Sequence, residues 1–101
     1  MVDKRLSDSD IKLLLQGFRS KGISEPVIEL AKKDLEYGLP KDMVDLYIVP
    51  AIGEVNAKAM SEALHLGASS KLVKKLKKLN EYQIRLALAE LKGGMLEDSI
   101  I

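Results

Sequence analysis

Cysteine is absent from this 101-residue chain, which removes disulfides, thiolate nucleophiles and thiolate metal sites together and fits a reducing compartment. Tryptophan is also absent, and one phenylalanine and three tyrosines are the only aromatic rings apart from one histidine. A core therefore has to be assembled from Leu, Ile, Val, Met and Ala, the side chains that interdigitate between packed helices. His65 is the sole histidine, so a metal site would rest almost wholly on carboxylates. The acids show neither a calcium-loop spacing nor paired Glu-x-x-His segments. A phosphate-cradling loop is missing too, since "LKGGM" follows a helical pattern and not a strand. No metal or other cofactor is expected, and no enzyme: catalysis needs convergent groups with tuned acidity in a cleft. His65 stands just before Gly67, where the C-terminal end of a helix explains it better than acid–base work does.

Excess charge of either sign is lacking, 16 basic residues against 15 acidic giving a formal net charge of +1. Bulk attraction to polyanions or membranes is therefore excluded. No window approaches the roughly 20 apolar residues of a membrane span. The charged "MVDKRLSDSD" stands where a secretory signal carries an apolar stretch of roughly 7–15 residues. A cytoplasmic protein is expected.

What the chain does have is ordinary globular composition, 47 % hydrophobic and 31 % charged, which is enough for one core over residues 1–101 and too little for two. It also has four glycines followed by similar text: "GISEPVIEL" from Gly22, "GLPKDMVDL" from Gly38, "GASSKLVKKL" from Gly67 and "GMLEDSII" from Gly94, at spacings of 16, 29 and 27 residues. After each glycine come an apolar or small residue, two or three polar or proline positions, and an apolar pair. The pairs are Val27–Ile28, Met43–Val44 and Leu72–Val73, with a weaker copy at Ser99–Ile100. The two longer spacings match a unit of two short helices, the size of a stacked helical repeat.

Local signals agree with that punctuation. Ser7 with Asp10 reads as a capping box before Ile11, Leu14, Leu15 and Phe18, which share one face at helical period. Pro26 fits a first helical turn after Ser24. Val27, Leu30, Ala31 and Leu35 then form a stripe that stops at Gly38. Pro40 opens and Pro50 closes a short helix through Met43, Val44 and Tyr47. Asn80 is an N-cap for a helix that turns Ile84, Ala87, Leu88 and Leu91 inward. The sequence thus predicts an all-α fold of about six short helices, at 8–21, 25–37, 41–48, 54–66, 70–79 and 81–92. They form an irregular helical-repeat array or a compact bundle, joined by short connections. The apolar tail "MLEDSII" either caps the last helix pair or offers Met95, Leu96, Ile100 and Ile101 to a second molecule.

Charge is distributed unevenly along the chain. Residues 22–66 hold eight acids against four lysines, whereas residues 67–92 hold seven bases against two acids. Within the basic part, Lys71, Lys74, Lys75, Lys77 and Lys78 cover the face of the 70–79 helix opposite Leu72, Val73, Leu76 and Leu79. Lys71, Lys74, Lys75 and Lys78 are neighbours at i, i+3, i+4 and i+7, so they repel each other by a few tenths of a kcal/mol per pair. Three readings fit: a solvated helix face, a dock for an acidic protein surface such as the 22–66 side of a second copy, or a grip on phosphates. Nucleic acid is the weakest of them. A helix-turn-helix over residues 10–38 would bring Glu25, Glu29, Asp34 and Glu36 towards DNA, and the pair 70–79 and 81–92 leaves Asn80 alone as the turn. Tyr37, Tyr47 and Tyr82 lie on or beside apolar stripes, where packing is the first reading and recognition the second.

"GLPKDMVDLY" and "EYQIRLALAELKGGM" resemble a short helical repeat of uncharacterised proteins from bacterial mobile elements and phages, roughly GLS-x-x-x-V-x-x-Y followed by I-R-x-x-L-x-x-G. Gly38, Leu39, Val44 and Tyr47 match its first half; Ile84, Arg85 and Leu88 match its second. Pro40 stands at the serine position, Leu91 at the closing glycine, and the copy from Gly67 keeps Ser69 and Val73 but has Leu76 for Tyr. The resemblance implies a bacterial or phage origin and a helical interaction module, without a catalytic residue. The expected function is non-enzymatic protein–protein interaction of adaptor or inhibitor type, with another protein or a second copy as partner. Lys71, Lys74, Lys75, Lys78, Tyr47 and Tyr82 are the candidate contacts. The alternative is a small DNA-binding or regulatory protein that uses the lysine face.

Overall fold

A computed structural model describes residues 7–96 and Ile100, and within them the chain is all-α, with six α-helices and no strand. The helices are α1 (Asp8–Ser20), α2 (Glu25–Tyr37), α3 (Lys41–Val44), α4 (Glu54–His65), α5 (Ser70–Leu76) and α6 (Glu81–Lys92). Three of them, α1, α5 and α6, start where a side chain supplies an acceptor for a free N–H group of the first turn. The Ser7 hydroxyl accepts from the Asp10 N–H at 3.2 Å while the Asp10 carboxylate accepts from the Ser7 N–H at 3.4 Å. Asn80 and Gln83 make the same reciprocal pair at 2.8 and 3.1 Å. Ser69 caps α5 by accepting from the Leu72 N–H.

Four chain reversals share one geometry. Gly22, Gly38, Gly67 and Gly94 all have φ between +83° and +113°, the left-handed region that only glycine enters without steric cost. The residue after each one, Ile23, Leu39, Ala68 or Met95, donates its N–H to the carbonyl five residues back at 3.0–3.1 Å. That is the Schellman bond, which satisfies an orphan carbonyl and turns the chain out of the helix axis.

Two helices are shorter than the sequence implies. The expected helix over 41–48 is α3 followed by a 3-10 turn, Asp45–Tyr47; Pro50 disfavours the α conformation at Val49, so the helix cannot run on. The expected helix over 70–79 stops at Leu76, because the Asn56 side chain of α4 donates to the carbonyls of Leu76, Lys77 and Leu79 at 3.0, 3.2 and 2.9 Å. A partner twenty or more residues away thus serves carbonyls that further helix would have used.

α4 is the hub. It packs against α2, α5, α6 and the 3-10 turn, whereas α1 packs chiefly on α2. Its inner residues Ala57, Met60 and Ala63 are wholly buried, and Ala59, Ser61 and Leu64 nearly so; the alanines let neighbouring backbones approach closely. Around it lie Phe18, Val27, Ile28, Leu35, Val44, Leu72, Val73, Leu76 and Ala87. From the tail, Ile100 is buried in this core while Met95 and Leu96 are exposed, and Ile101 and Ser99 lie outside the described residues. The globule is flattened, 40 × 36 × 16 Å with a radius of gyration of 13.8 Å, against about 13 Å for a typical chain of about 100 residues. Among the described residues, no helix is long and apolar enough to cross a membrane.

Candidate functional site

α5 turns Leu72, Val73 and Leu76 into the core and leaves Lys71, Lys74, Lys75, Lys77 and Lys78 exposed. Because the helix ends early, Lys77 and Lys78 sit in the turn that follows it and not in its last turn. Lys74, Lys75, Lys77 and Lys78 line one shallow groove with Asp45, Leu46 and Val49. Asp45, the single acid in that lining, is already paired with Lys41 at 2.8 Å. None of the five lysines belongs to an ion pair among the described residues. Their ammonium groups are therefore available to an anionic ligand or an acidic surface.

The other sequence candidates do not join them. Tyr82 is 75 % exposed on α6 beside a separate hollow lined by Asn80, Glu81 and Arg85. Tyr47 has to be corrected as a candidate contact: it is 0 % exposed and inaccessible to a partner. The reason is Asp34, an acid that the sequence suggests should face outward with Glu25, Glu29 and Glu36, but which is 3 % exposed in the core. A buried carboxylate needs hydrogen-bond donors, and three converge on it. The Tyr47 hydroxyl donates to Oδ2 at 2.7 Å and the Ser61 hydroxyl to the same oxygen at 2.6 Å. His65 Nε2 lies 2.8 Å from Oδ1; a carboxylate only accepts, so this nitrogen carries the proton. The His65 ring in turn meets Tyr37 edge-on, with centroids 4.6 Å apart.

This cluster joins α2, the 3-10 turn and α4. Burial first, and then the bond to Asp34, push the Tyr47 phenol well above its ordinary ionisation range. The Ser61 hydroxyl is directed at the carboxylate and not at the imidazole, and Ser61 is itself buried. The serine is thus not open to a substrate, as a nucleophile would have to be. The arrangement is suited to holding three segments together. Among the described residues, no group of three or more His, Asp or Glu is placed to hold a metal ion.

The sequence did carry a signal for this cluster. Asp34 falls on the period of Val27, Ala31 and Leu35, an acid in an apolar stripe, and Ser61 and His65 share a face at i, i+4. For the alternative DNA reading, α5 and α6 are separated by four residues, 77–80, and not by Asn80 alone. Yet both helices pack on α4 more than on each other. The three side chains there suited to reading bases are engaged as well, Asn80 and Gln83 in the cap of α6 and Arg85 with Glu81 at 2.6 Å. Compared with protein-family models, curated proteins and solved structures, the chain matches none.

Proposed function

We propose that this protein is a non-enzymatic helical module of the cytoplasm that docks an acidic protein surface through the Lys71, Lys74, Lys75 and Lys78 side of α5, as an adaptor or inhibitor would. The observation that carries the reading is the contrast between interior and surface. Inside, Asp34, Tyr47, Ser61 and His65 satisfy one another, and no buried side-chain polar atom among the described residues lacks a partner. Outside, a run of lysines makes no ion pair among the described residues, and four of the five line a groove with Leu46, Val49 and Asp45, whose carboxylate is taken up by Lys41. Such a surface selects an oppositely charged partner and raises its association rate. The glycine-punctuated text and the resemblance to a mobile-element helical repeat favour the same class of function.

The test separates protein from nucleic acid. Fluorescence anisotropy with a mixed-sequence duplex and a single strand, at about 50 and 200 mM salt, should show no tight binding, whereas several phosphate contacts would change affinity by orders of magnitude across that range. Crosslinking in the cells that make the protein should give a discrete, nuclease-resistant protein adduct. That adduct should be lost in the triple variant Lys74→Glu, Lys75→Glu, Lys78→Glu while the helical circular-dichroism signal is retained. Tight, salt-steep duplex binding lost in the same variant would replace this reading with the DNA-binding one.

A further inference from the structure

Four lysines reach the groove beside α5, and they are not the four that would share a helical stripe. A continued helix gathers Lys71, Lys74, Lys75 and Lys78 on one face and leaves Lys77 about 110° from its centre. The helix instead stops at Leu76, where the Asn56 side chain holds the carbonyls of Leu76, Lys77 and Leu79. The turn that follows brings Lys77 into the groove with Lys74, Lys75 and Lys78, while Lys71 is not part of the lining. The cationic side of the groove is therefore set by the turn as much as by the helix.

The other side comes from a distant part of the chain, the 3-10 turn and the residues just after it. Leu46 and Val49 line the groove there and are only half-buried, so both keep aliphatic surface for an occupant. Asp45, the single acid in the lining, is occupied by Lys41 at 2.8 Å. None of the four lysines makes an ion pair among the described residues. One side of the groove thus complements carboxylates, and the other complements aliphatic side chains.

Size and shape narrow the occupant further. The hollow measures about 530 Å³, whereas a single turn of α-helix with its side chains already fills about 400–600 Å³. A few residues of extended chain fit the two sides better, because successive side chains point in opposite directions. A sugar–phosphate backbone fits them worse. It has nothing to place against Leu46 and Val49, and no aromatic ring lines the groove for a base to stack on.

We infer that this groove binds a short extended segment of a partner protein in which acidic and aliphatic residues alternate. The acids lie against Lys74, Lys75, Lys77 and Lys78, and the aliphatic side chains against Leu46 and Val49. The inference rests on the docking reading above and narrows its partner from an acidic surface to one kind of segment. So small a contact gives a dissociation constant on the order of 10–100 μM. Because the lysines are exposed, binding weakens as salt rises.

The test is fluorescence anisotropy of the full chain with three labelled peptides of about seven residues, at about 50 mM salt. One alternates Asp with Leu or Val, one has Ser at each aliphatic position, and one sorts the first peptide's residues into an acidic and an aliphatic block. The alternating peptide should saturate and bind at least fivefold tighter than the other two. Lys77→Glu should weaken it at least tenfold, and by more than Lys71→Glu does. Lys33→Glu, the same change of charge at an exposed position of α2, should stay within about twofold of the native protein. Asp45→Asn, which frees Lys41, should tighten binding about twofold to threefold, and Val49→Thr should narrow the gap between the alternating and serine peptides. Failure to saturate below about 500 μM, equal binding of the serine peptide, or a larger loss in Lys71→Glu than in Lys77→Glu would each overturn the inference. The crosslinked adduct and its loss in the triple lysine variant would then decide separately whether α5 docks a broader acidic surface. Displacement of the alternating peptide by a tightly bound mixed-sequence duplex would overturn both readings.

Discussion

Replacing Tyr47 by Phe removes one oxygen from a ring that is otherwise retained, so its cost isolates one bond of the Asp34 cluster. The hydroxyl lost is fully buried and donates to Asp34 Oδ2 at 2.7 Å. Afterwards Oδ2 keeps the Ser61 hydroxyl and Oδ1 keeps His65, so the carboxylate is under-served but not bare. The loss is then that of one hydrogen bond to a charged group, about 1.5–3 kcal/mol. It falls short of the larger penalty of an unpaired buried charge, about 3–5 kcal/mol. For a domain of this size, about 4–8 °C of melting temperature corresponds to each kcal/mol, so a fall of roughly 6–24 °C is expected. The assay is urea and thermal unfolding followed by circular dichroism, with Tyr37→Phe as the control. Tyr37 is largely exposed, and its loss should cost less than about 0.5 kcal/mol. Tyr47→Phe and Ser61→Ala should also be non-additive, since both donors serve one oxygen. If Tyr47→Phe costs no more than Tyr37→Phe, Asp34 is not held by this phenol and the account of the cluster fails.

Three further outcomes follow from the same geometry. The Tyr47 phenol is raised in the folded state, so its contribution is complete below its unfolded value of about 10 and declines as pH rises above that, by up to about 1.4 kcal/mol per unit. Urea midpoints measured from pH 8 to 11 should fall less steeply in Tyr47→Phe than in the native protein. Asn56→Ala leaves the carbonyls of Leu76, Lys77 and Leu79 without their donor and should cost about 1–2 kcal/mol. Amide exchange should quicken first in α5, and uniform quickening across the chain would count against a local cap. Gly67 has φ of +87° with open space around a Cβ, so Gly67→Ala should cost about 1–2 kcal/mol from backbone strain alone; an unchanged melting temperature would mean that this turn is not held left-handed.

The helix starts and stops were legible because their causes are short-range. Ser7 with Asp10, Asn80 with Gln83, and a glycine at each of four reversals act within three to five residues, and the limits of α2 and α6 follow from them. Where the cause is distant, the sequence misleads. α5 ends at Leu76 because of Asn56, a residue on another helix. Asp34 stands in the apolar stripe of Val27, Ala31 and Leu35, but the donors that make an acid tolerable there lie 13, 27 and 31 residues further along the chain. Tyr47 was ambiguous for the same reason, since a tyrosine beside an apolar stripe is buried or exposed according to whether its hydroxyl finds an acceptor. The lysine face was readable from helical period only as far as Leu76, with Lys77 and Lys78 falling in the turn beyond; the groove beside it was not, because Leu46 and Val49 come from a segment more than twenty residues earlier.

The buried carboxylate also bears on how this chain distinguishes its fold from near alternatives. A core made of Leu, Val, Ile and Ala can be repacked in many ways at little cost, and short helices joined by similar turns invite exchange of one for another. Asp34 is indifferent to hydrophobic content and sensitive to identity: only an arrangement that brings a phenol, a hydroxyl and an imidazole from three particular positions leaves it satisfied. Any competitor that swaps α4 for another helix buries a bare negative charge, at a penalty of several kcal/mol. Its influence therefore falls more heavily on the wrong structures than on the right one, as a proofreading step for a chain whose own helix ends look so much alike.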